Sequence, residues 1–335
     1  MNFCTKAALA AATIAMSVSG AAAADYTLKV SSPTNNDPIL KWMQAFEEKV
    51  EASTNGAIDV QLFPANQLGQ IPATVEGVAM GTIEVTAPAS GFFVQLDPRF
   101  EVLSVPGLFK DLAHAQRVLS DKEVLDHLAA YAKDQGVETI AAFPHGPLAL
   151  LSTTGAATMD ALKGQRIRVA GPTALNTGPF QRLGASPVSM PLGEVLPAMQ
   201  NGVVDGLIAG VPVYILGRYY DVATEMTTLP ESYLIVTAVA SQAFFDTIGD
   251  DLANKVRAAA REALPATSEF TLEMDGKMHD LWTQNGGTIV SLDGAEAAKY
   301  LDAVNATLPE ASAANATLTA ELEFMRAAAA RLASE

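Results

Sequence analysis

Cysteine is all but missing from this chain: Cys4 is the single one in 335 residues, inside an amino-terminal stretch that reads as a leader. With that stretch removed, disulfides and thiolate chemistry are excluded, and stability has to come from core burial. Histidine is scarce too. His114, His127, His145 and His279 are far apart and show no HExxH or other metal spacing. GxSxG elbow, phosphate-binding loop and GxGxxG turn are all absent from the sequence. These gaps argue against catalysis, against a cofactor and against a metal. They leave a secreted hydrolase or lyase only as a remote alternative, its site assembled from distant residues. No segment reaches the roughly 20 apolar residues that a spanning helix needs, so no direct membrane insertion is expected. Positive charge is the last shortage, 21 Lys and Arg against 37 Asp and Glu, for a net charge of −16. Such a surface repels anionic lipid and removes nucleic acid from the expected partners. An anionic solute would have to be held by local cationic groups.

What is present begins with residues 1–24, which read as a signal peptide. Lys6 supplies the positive start, Ala7 to Val18 the short apolar run, and Ala22-Ala23-Ala24 before Asp25 a small-residue cleavage site. No lipoprotein pattern surrounds Cys4. The expected location is the periplasm. The remaining chain is longer than one compact core usually grows, which favours two domains.

Strand and helix patterns then alternate. Tyr26, Leu28 and Val30 alternate with polar residues as a first strand. Asp37 caps and Pro38 opens a helix whose stripe is Ile39, Trp42, Met43, Phe46 and Val50. A second strand runs over Ile58, Val60 and Leu62, a helix over Ala73 to Met80, and a third strand over Ile83 to Ala87. Val124 to Ala132 reads as helix and Val137 to Phe143 as strand, with His145-Gly146-Pro147 as a turn before Leu148 to Thr153 resumes. Leu234 to Ala240 is a β-prone run able to carry the chain back between domains. The carboxyl third is helical, with Asp250 to Leu264 stopping at Pro265, then Glu269 to Gln284, and a face of Leu318, Leu322, Met325, Ala329 and Leu332. This order predicts an α/β fold with a parallel-rich sheet between helices.

The most informative stretch is Lys163 to Gly206. It places Arg168 near the carboxyl end of a strand flanked by Ile167 and Val169, just before Gly171-Pro172 breaks it. Ligands of open α/β sheets sit beyond the carboxyl ends of strands, and a guanidinium there is a planar fork suited to a carboxylate. Arg166, two residues earlier, is an equal candidate on pattern alone.

Further stretches carry a resemblance. They are Asn55-Gly56 through Phe63-Pro64, Gln67-Leu68-Gly69, Gly81-Thr82-Ile83-Glu84, and Val105-Pro106-Gly107-Leu108-Phe109. Leu162-Lys163-Gly164 with Arg168, Gly184 to Val188 with Met190, Val203-Val204-Asp205-Gly206 and Tyr219-Tyr220-Asp221-Val222 follow in order. Together they resemble the DctP-type solute-binding proteins of TRAP (tripartite ATP-independent periplasmic) transporters. The resemblance implies a two-lobed clamshell of the periplasmic-binding-protein kind. Each lobe would be a mixed, mostly parallel sheet flanked by helices, with long C-terminal helices. Lobe I is expected over residues 25–147 plus about 236–275 and lobe II over 148–235 plus about 276–310, with residues 311–335 as a helix packed on both.

It further implies that Arg168 grips the carboxylate of an organic acid, with Arg166 solvated, and that the loaded receptor meets the TRAP membrane permease subunits. Departures from the family pattern shape the expected ligand. Leu148 stands where many members have a second arginine, and Ala209 falls where the family has a polar residue after Asp205-Gly206. With Phe92 these make a pocket too apolar for a sugar acid, since each unpaired hydroxyl costs roughly 1–3 kcal/mol. A monocarboxylate with a less polar body fits better. Ser90, His145, Gly171, Leu192 and Tyr214 are further expected contacts, with Asn35 and Gln67 reaching in from loops; Tyr214 and Phe92 could equally be core. A receptor of the ABC-transporter type, or one feeding a sensory kinase, shares the clamshell and stands as the alternative.

Overall fold

The structure is a computed structural model that describes residues 24–333; the expected signal peptide lies almost wholly outside the described residues. The chain opens with β1 (Tyr26–Ser31), α1 (Pro38–Thr54), β2 (Ile58–Phe63), α2 (Ile71–Ala79) and β3 (Val85–Thr86). Helices α3 (Leu112–Ser120) and α4 (Lys122–Leu128) lead into β4 (Val137–Ser152). Then come β5 (Arg166–Val169), α5 (Ala174–Arg182), β6 (Ser186–Ser189), α6 (Leu192–Gln200), β7 (Gly206–Gly210) and α7 (Val211–Leu216). The chain returns through β8 (Glu225–Ser241) and finishes with α8 (Gln242–Glu262), α9 (Leu264–Gln284), β9 (Thr288–Ser291), α10 (Gly294–Ala314) and α11 (Leu318–Arg331).

Local chemistry explains the elements that position the site. Asp37 is the N-cap of α1, its carboxylate accepting from the Ile39 and Leu40 amides at 3.1 Å each. Pro38 occupies the first turn, where no amide partner is needed. The stripe Ile39, Trp42, Met43, Phe46 and Val50 is buried, and Asn55 ends the helix in the left-handed region at φ 54°. Pro265, expected to stop a helix, instead lies in the first turn of α9, which therefore starts at Leu264 rather than near Glu269. The expected helix start at Asp250 reflects a real interruption, since Gly249 has φ +76° inside α8.

Among the described residues, nine strands form one mixed sheet in the order β2-β1-β3-β8-β4-β7-β5-β6, with β9 added to β8. Pairs β1–β2, β1–β3, β5–β6, β5–β7 and β8–β9 are parallel. The two long strands β4 and β8 pair antiparallel along almost their whole lengths and join the two lobes. The expected turn at His145-Gly146-Pro147 is a correction: β4 runs straight through it. Register shifts at Pro144/Gly146 and Pro147/Ala149 absorb the prolines, which cannot donate to the ladder.

Four apolar cores flank this sheet, two on each face. On one face, Leu28, Trp42, Phe46, Phe143 and Val236 form a core at one end. Leu151, Leu207, Tyr214, Met226 and Trp282 form its counterpart at the other end. On the reverse face, Phe93, Phe100, Val239 and Met325 sit at the first end, and Leu150, Ile167, Phe180, Ile208 and Tyr300 at the second. Two lobes, each a sheet half sandwiched by helices, follow from this division. The gap between lobes is where a cavity can open.

Candidate functional site

Strand alternation sorts the side chains near that gap. On β5, Ile167 and Val169 enter the reverse-face core, so Arg168 projects to the opposite face. It shares that face with Leu207 and Ala209 of β7, both in the core carrying Trp282. The guanidinium is 2 % exposed. Its Nε donates to the Met190 carbonyl at 3.0 Å and Nη1 to the Ile208 carbonyl at 3.5 Å. Among the described residues no Asp or Glu pairs with it, and three of its five N–H groups have no protein acceptor. Burial pulls its pKa down to about 10, with Tyr219 and Tyr214 acting weakly in the other direction. It is still a cation at neutral pH. Arg166 behaves differently: its fork meets Asp205, Nε to Oδ2 at 3.0 Å and Nη2 to Oδ1 at 2.6 Å, at a half-exposed edge.

Around Arg168 lies a cavity between the lobes, lined also by His145, Phe92, Leu192, Ala209 and Val236. His145 is 1 % exposed and its Nε2 stands 2.8 Å from Asp37 Oδ2. Burial raises the Asp37 pKa, but hydrogen bonds from His145, Thr34 and the Leu40 amide outweigh it, and the net shift is downward. Asn35 lines a wider outer cleft with Leu192 and Tyr219. Tyr219 was not among the expected contacts. Burial pushes its phenol up to about 12 while Arg168 pulls it the other way, which marks the two as neighbours.

Ser90 and Leu148 fall elsewhere. They line a second cavity, between the two reverse-face cores, together with Val169, Ile208, Leu229 and Tyr300. The two cavities lie back to back, and Ala89, Ala170 and Leu234 border both. The Ser90 hydroxyl donates to the Ile235 carbonyl at 2.9 Å and meets Thr237 Oγ1 at 2.6 Å, so it is committed to β8.

Three expected contacts line neither cavity nor the outer cleft. Gln67 is an exposed loop residue. Tyr214 is core: its hydroxyl accepts from the Ala209 amide at 2.9 Å and donates to the Ala149 carbonyl at 2.6 Å, tying β7 to β4. Burial pushes its pKa far up. Gly171 plays a backbone part, with φ +95°. A Cβ on it would stand 2.8 Å from the Gly91 carbonyl oxygen, and one on Gly91 would stand 2.9 Å from that of Ala170. Here the end of β5 touches the segment after β3, across the gap. Gly171→Ala is expected to weaken solute binding more than it lowers unliganded stability. The left-handed φ costs about 1 kcal/mol in any state, whereas the clash arises only where the two segments meet. Titration calorimetry beside urea unfolding checks this; equal losses in both would remove the contact from closure.

The sequence and fold were compared with known proteins. The DctP family model, described as bacterial extracellular solute-binding protein family 7, matches residues 30–314. The 2,3-diketo-L-gulonate-binding periplasmic protein YiaO of Escherichia coli is 27% identical over 247 residues, covering 73% of this chain and 75% of that one. A TRAP periplasmic solute-binding protein of Desulfovibrio salexigens, solved with bound orotic acid, superposes with TM-score 0.86 at 23% identity, over 92% of this chain and 99% of that one. One from Xanthobacter autotrophicus, with bound β-D-galacturonate, gives 0.83 at 24% identity over 90% and 99%. A buried cation beside an interlobe cavity agrees with that company. The chain belongs to bacterial extracellular solute-binding protein family 7, the DctP-type receptors of TRAP transporters, which bind solutes and do not transform them.

Proposed function

We propose that this receptor captures an organic acid with one carboxylate and a largely apolar body, and delivers it to the membrane permease subunits of a TRAP transporter. The observation that carries this reading is Arg168, a buried cation with no acidic partner among the described residues. A charge held at such cost calls for an anion from outside the chain. The walls supply few other polar groups: Phe92, Leu192, Ala209 and Val236 surround it. A hydroxyl-rich sugar acid would leave several groups unpaired there.

Binding is read as closure of two lobes. Lobe I comprises residues 25–147 plus about 236–275, lobe II 148–235 plus about 276–310, and residues 311–335 brace both. The packing of α9 supports the second crossing, since Leu264 joins the core of Trp42 while Met278 and Trp282 join that of Tyr214. A swing from mostly open to mostly closed needs about 5.5 kcal/mol of differential affinity, within reach of a dry arginine–carboxylate pair plus buried ligand surface. The receptor would work in the periplasm after cleavage of residues 1–24, and the permease would read the closed form.

Mass spectrometry of small molecules released from purified, denatured protein tests the reading, followed by a thermal-shift screen of the acids found. A retained monocarboxylate that raises the melting temperature is the expected result. Preferential stabilisation by galacturonate, gluconate or sialic acid would overturn the ligand class.

A further inference from the structure

We infer that His145 is the residue that sets solute specificity beside Arg168. It does so as a hydrogen-bond acceptor through Nδ1, so that the preferred solute is a hydroxy acid, or an acid with one N–H, rather than the plain carboxylic acid. The inference rests on the carboxylate reading above and adds one polar group to the solute.

The argument starts from the ring. His145 lines the Arg168 cavity and is 1 % exposed. Its Nε2 edge is held by Asp37, a carboxylate that is already the N-cap of α1 and accepts from Thr34. A carboxylate only accepts, so Nε2 carries the proton, and in the neutral ring Nδ1 is left with a bare lone pair. That atom is buried and has no hydrogen-bond partner among the described residues. Native structures rarely leave such an atom unpaired without a reason.

The surroundings offer this edge no donor of their own. Nδ1 is turned toward β7, where a Cβ on Gly210 would stand only 2.6 Å from it, and the next residue, Ala209, lines the cavity. A side chain at 210 would collide with the nitrogen. None of the neighbouring wall residues Ala209, Leu234, Val236 or Val213 offers a side-chain donor. A hydroxyl of the solute meets that description, while Arg168 fixes the carboxylate in the same cavity. A site built to pair a hydroxyl discriminates strongly against the analogue lacking it, because the protein atom is then left desolvated and unpaired.

Matched acids test it: 2-hydroxyisovalerate against isovalerate, 3-hydroxybutyrate against butyrate, and mandelate against phenylacetate, titrated calorimetrically into the full-length mature protein. At least one hydroxy acid is expected to bind roughly tenfold or more tightly than its partner. His145→Phe should erase that ratio. His145→Gln, which keeps a polar acceptor, should restore part of it. Should the phenylalanine variant fail to fold, ¹⁵N spectroscopy of the His145 ring in the wild type decides instead. A non-protonated Nδ1 whose resonance moves on adding the hydroxy acid, and not on adding the plain one, supports the role. Equal affinities within every pair, a ratio unchanged by His145→Phe, or a proton found on Nδ1 would overturn it. Failure of all six acids to bind would instead count against the carboxylate reading and so remove the ground of this inference.

Discussion

Replacing Arg168 by methionine is expected to abolish solute binding and, at the same time, to make the empty protein more stable. Truncating a desolvated partner of a carboxylate costs about 2–5 kcal/mol of binding, so affinity should fall by two to three orders of magnitude or more. The gain in stability has a separate cause. Folding lowers the guanidinium pKa from the ordinary arginine value to about 10 because burial penalises the charged form. That difference corresponds to about 3 kcal/mol at neutral pH, an upper figure, because the Met190 and Ile208 carbonyls lose their donor in the variant. A methionine of similar length fills the space without the charge.

The pH dependence has a definite sign. The folded value lies below the unfolded one, so the cost is fully present at pH 7 and is relieved only as pH rises through about 10 toward the unfolded arginine value. The stability gap between variant and wild type should narrow in that window. Wild-type affinity for an acid should fall over the same interval, as the cation is lost. Urea unfolding and calorimetry at pH 7 and 10.5 measure both. A variant that is less stable when empty, yet still binds acids, would sink the assignment of Arg168 as a solute anchor.

The second large effect is expected at Asp37→Ala, with a loss of about 2–4 kcal/mol in stability. The Asp37 carboxylate, 1 % exposed, serves four donors: the Ile39 and Leu40 amides, the Thr34 hydroxyl and His145 Nε2. Alanine uncaps α1, worth about 1 kcal/mol alone, and strands a buried imidazole N–H in an apolar wall. Asp37→Asn keeps the cap and should cost much less. Because the folded Asp37 pKa is depressed below 3.8, its contribution is complete above that value and is lost as pH falls through the folded pKa. Wild type should therefore lose its advantage over the asparagine variant in acid. An alanine variant within 1 kcal/mol of wild type by chemical denaturation would show that the pair is not structural.

Much of the site was readable in the residues themselves. The alternation Arg166-Ile167-Arg168-Val169 fixed a strand with two arginines on one face, and Asp205 two residues past Val203 gave no hint of which one it neutralises. The structure decides: Asp205 enters β7 beside the outer end of β5 and takes Arg166, leaving Arg168 alone. His145 was nameable but not its role, because its partner Asp37 is 108 residues away. The assignment of Ser90 and Leu148 to the arginine cavity missed for another reason. Which face Leu148 occupies depends on two register shifts in β4, and neither has a signature in sequence beyond its prolines. Tyr214 reads as an aromatic near a ligand, yet its hydroxyl closes β7 onto β4.

Periodicity and capping set, from the chain alone, most of the segments that become helix or strand, and marked Arg166 and Arg168 as the candidate anion anchors in so acidic a protein. These are local properties, set within a few residues by backbone sterics and side-chain burial. Only the assembled sheet decided which side chains share a face, which charge found a partner, and where the lobes leave space. Strand pairing joins residues far apart in sequence, and shifting it by one residue turns every side chain to the other side.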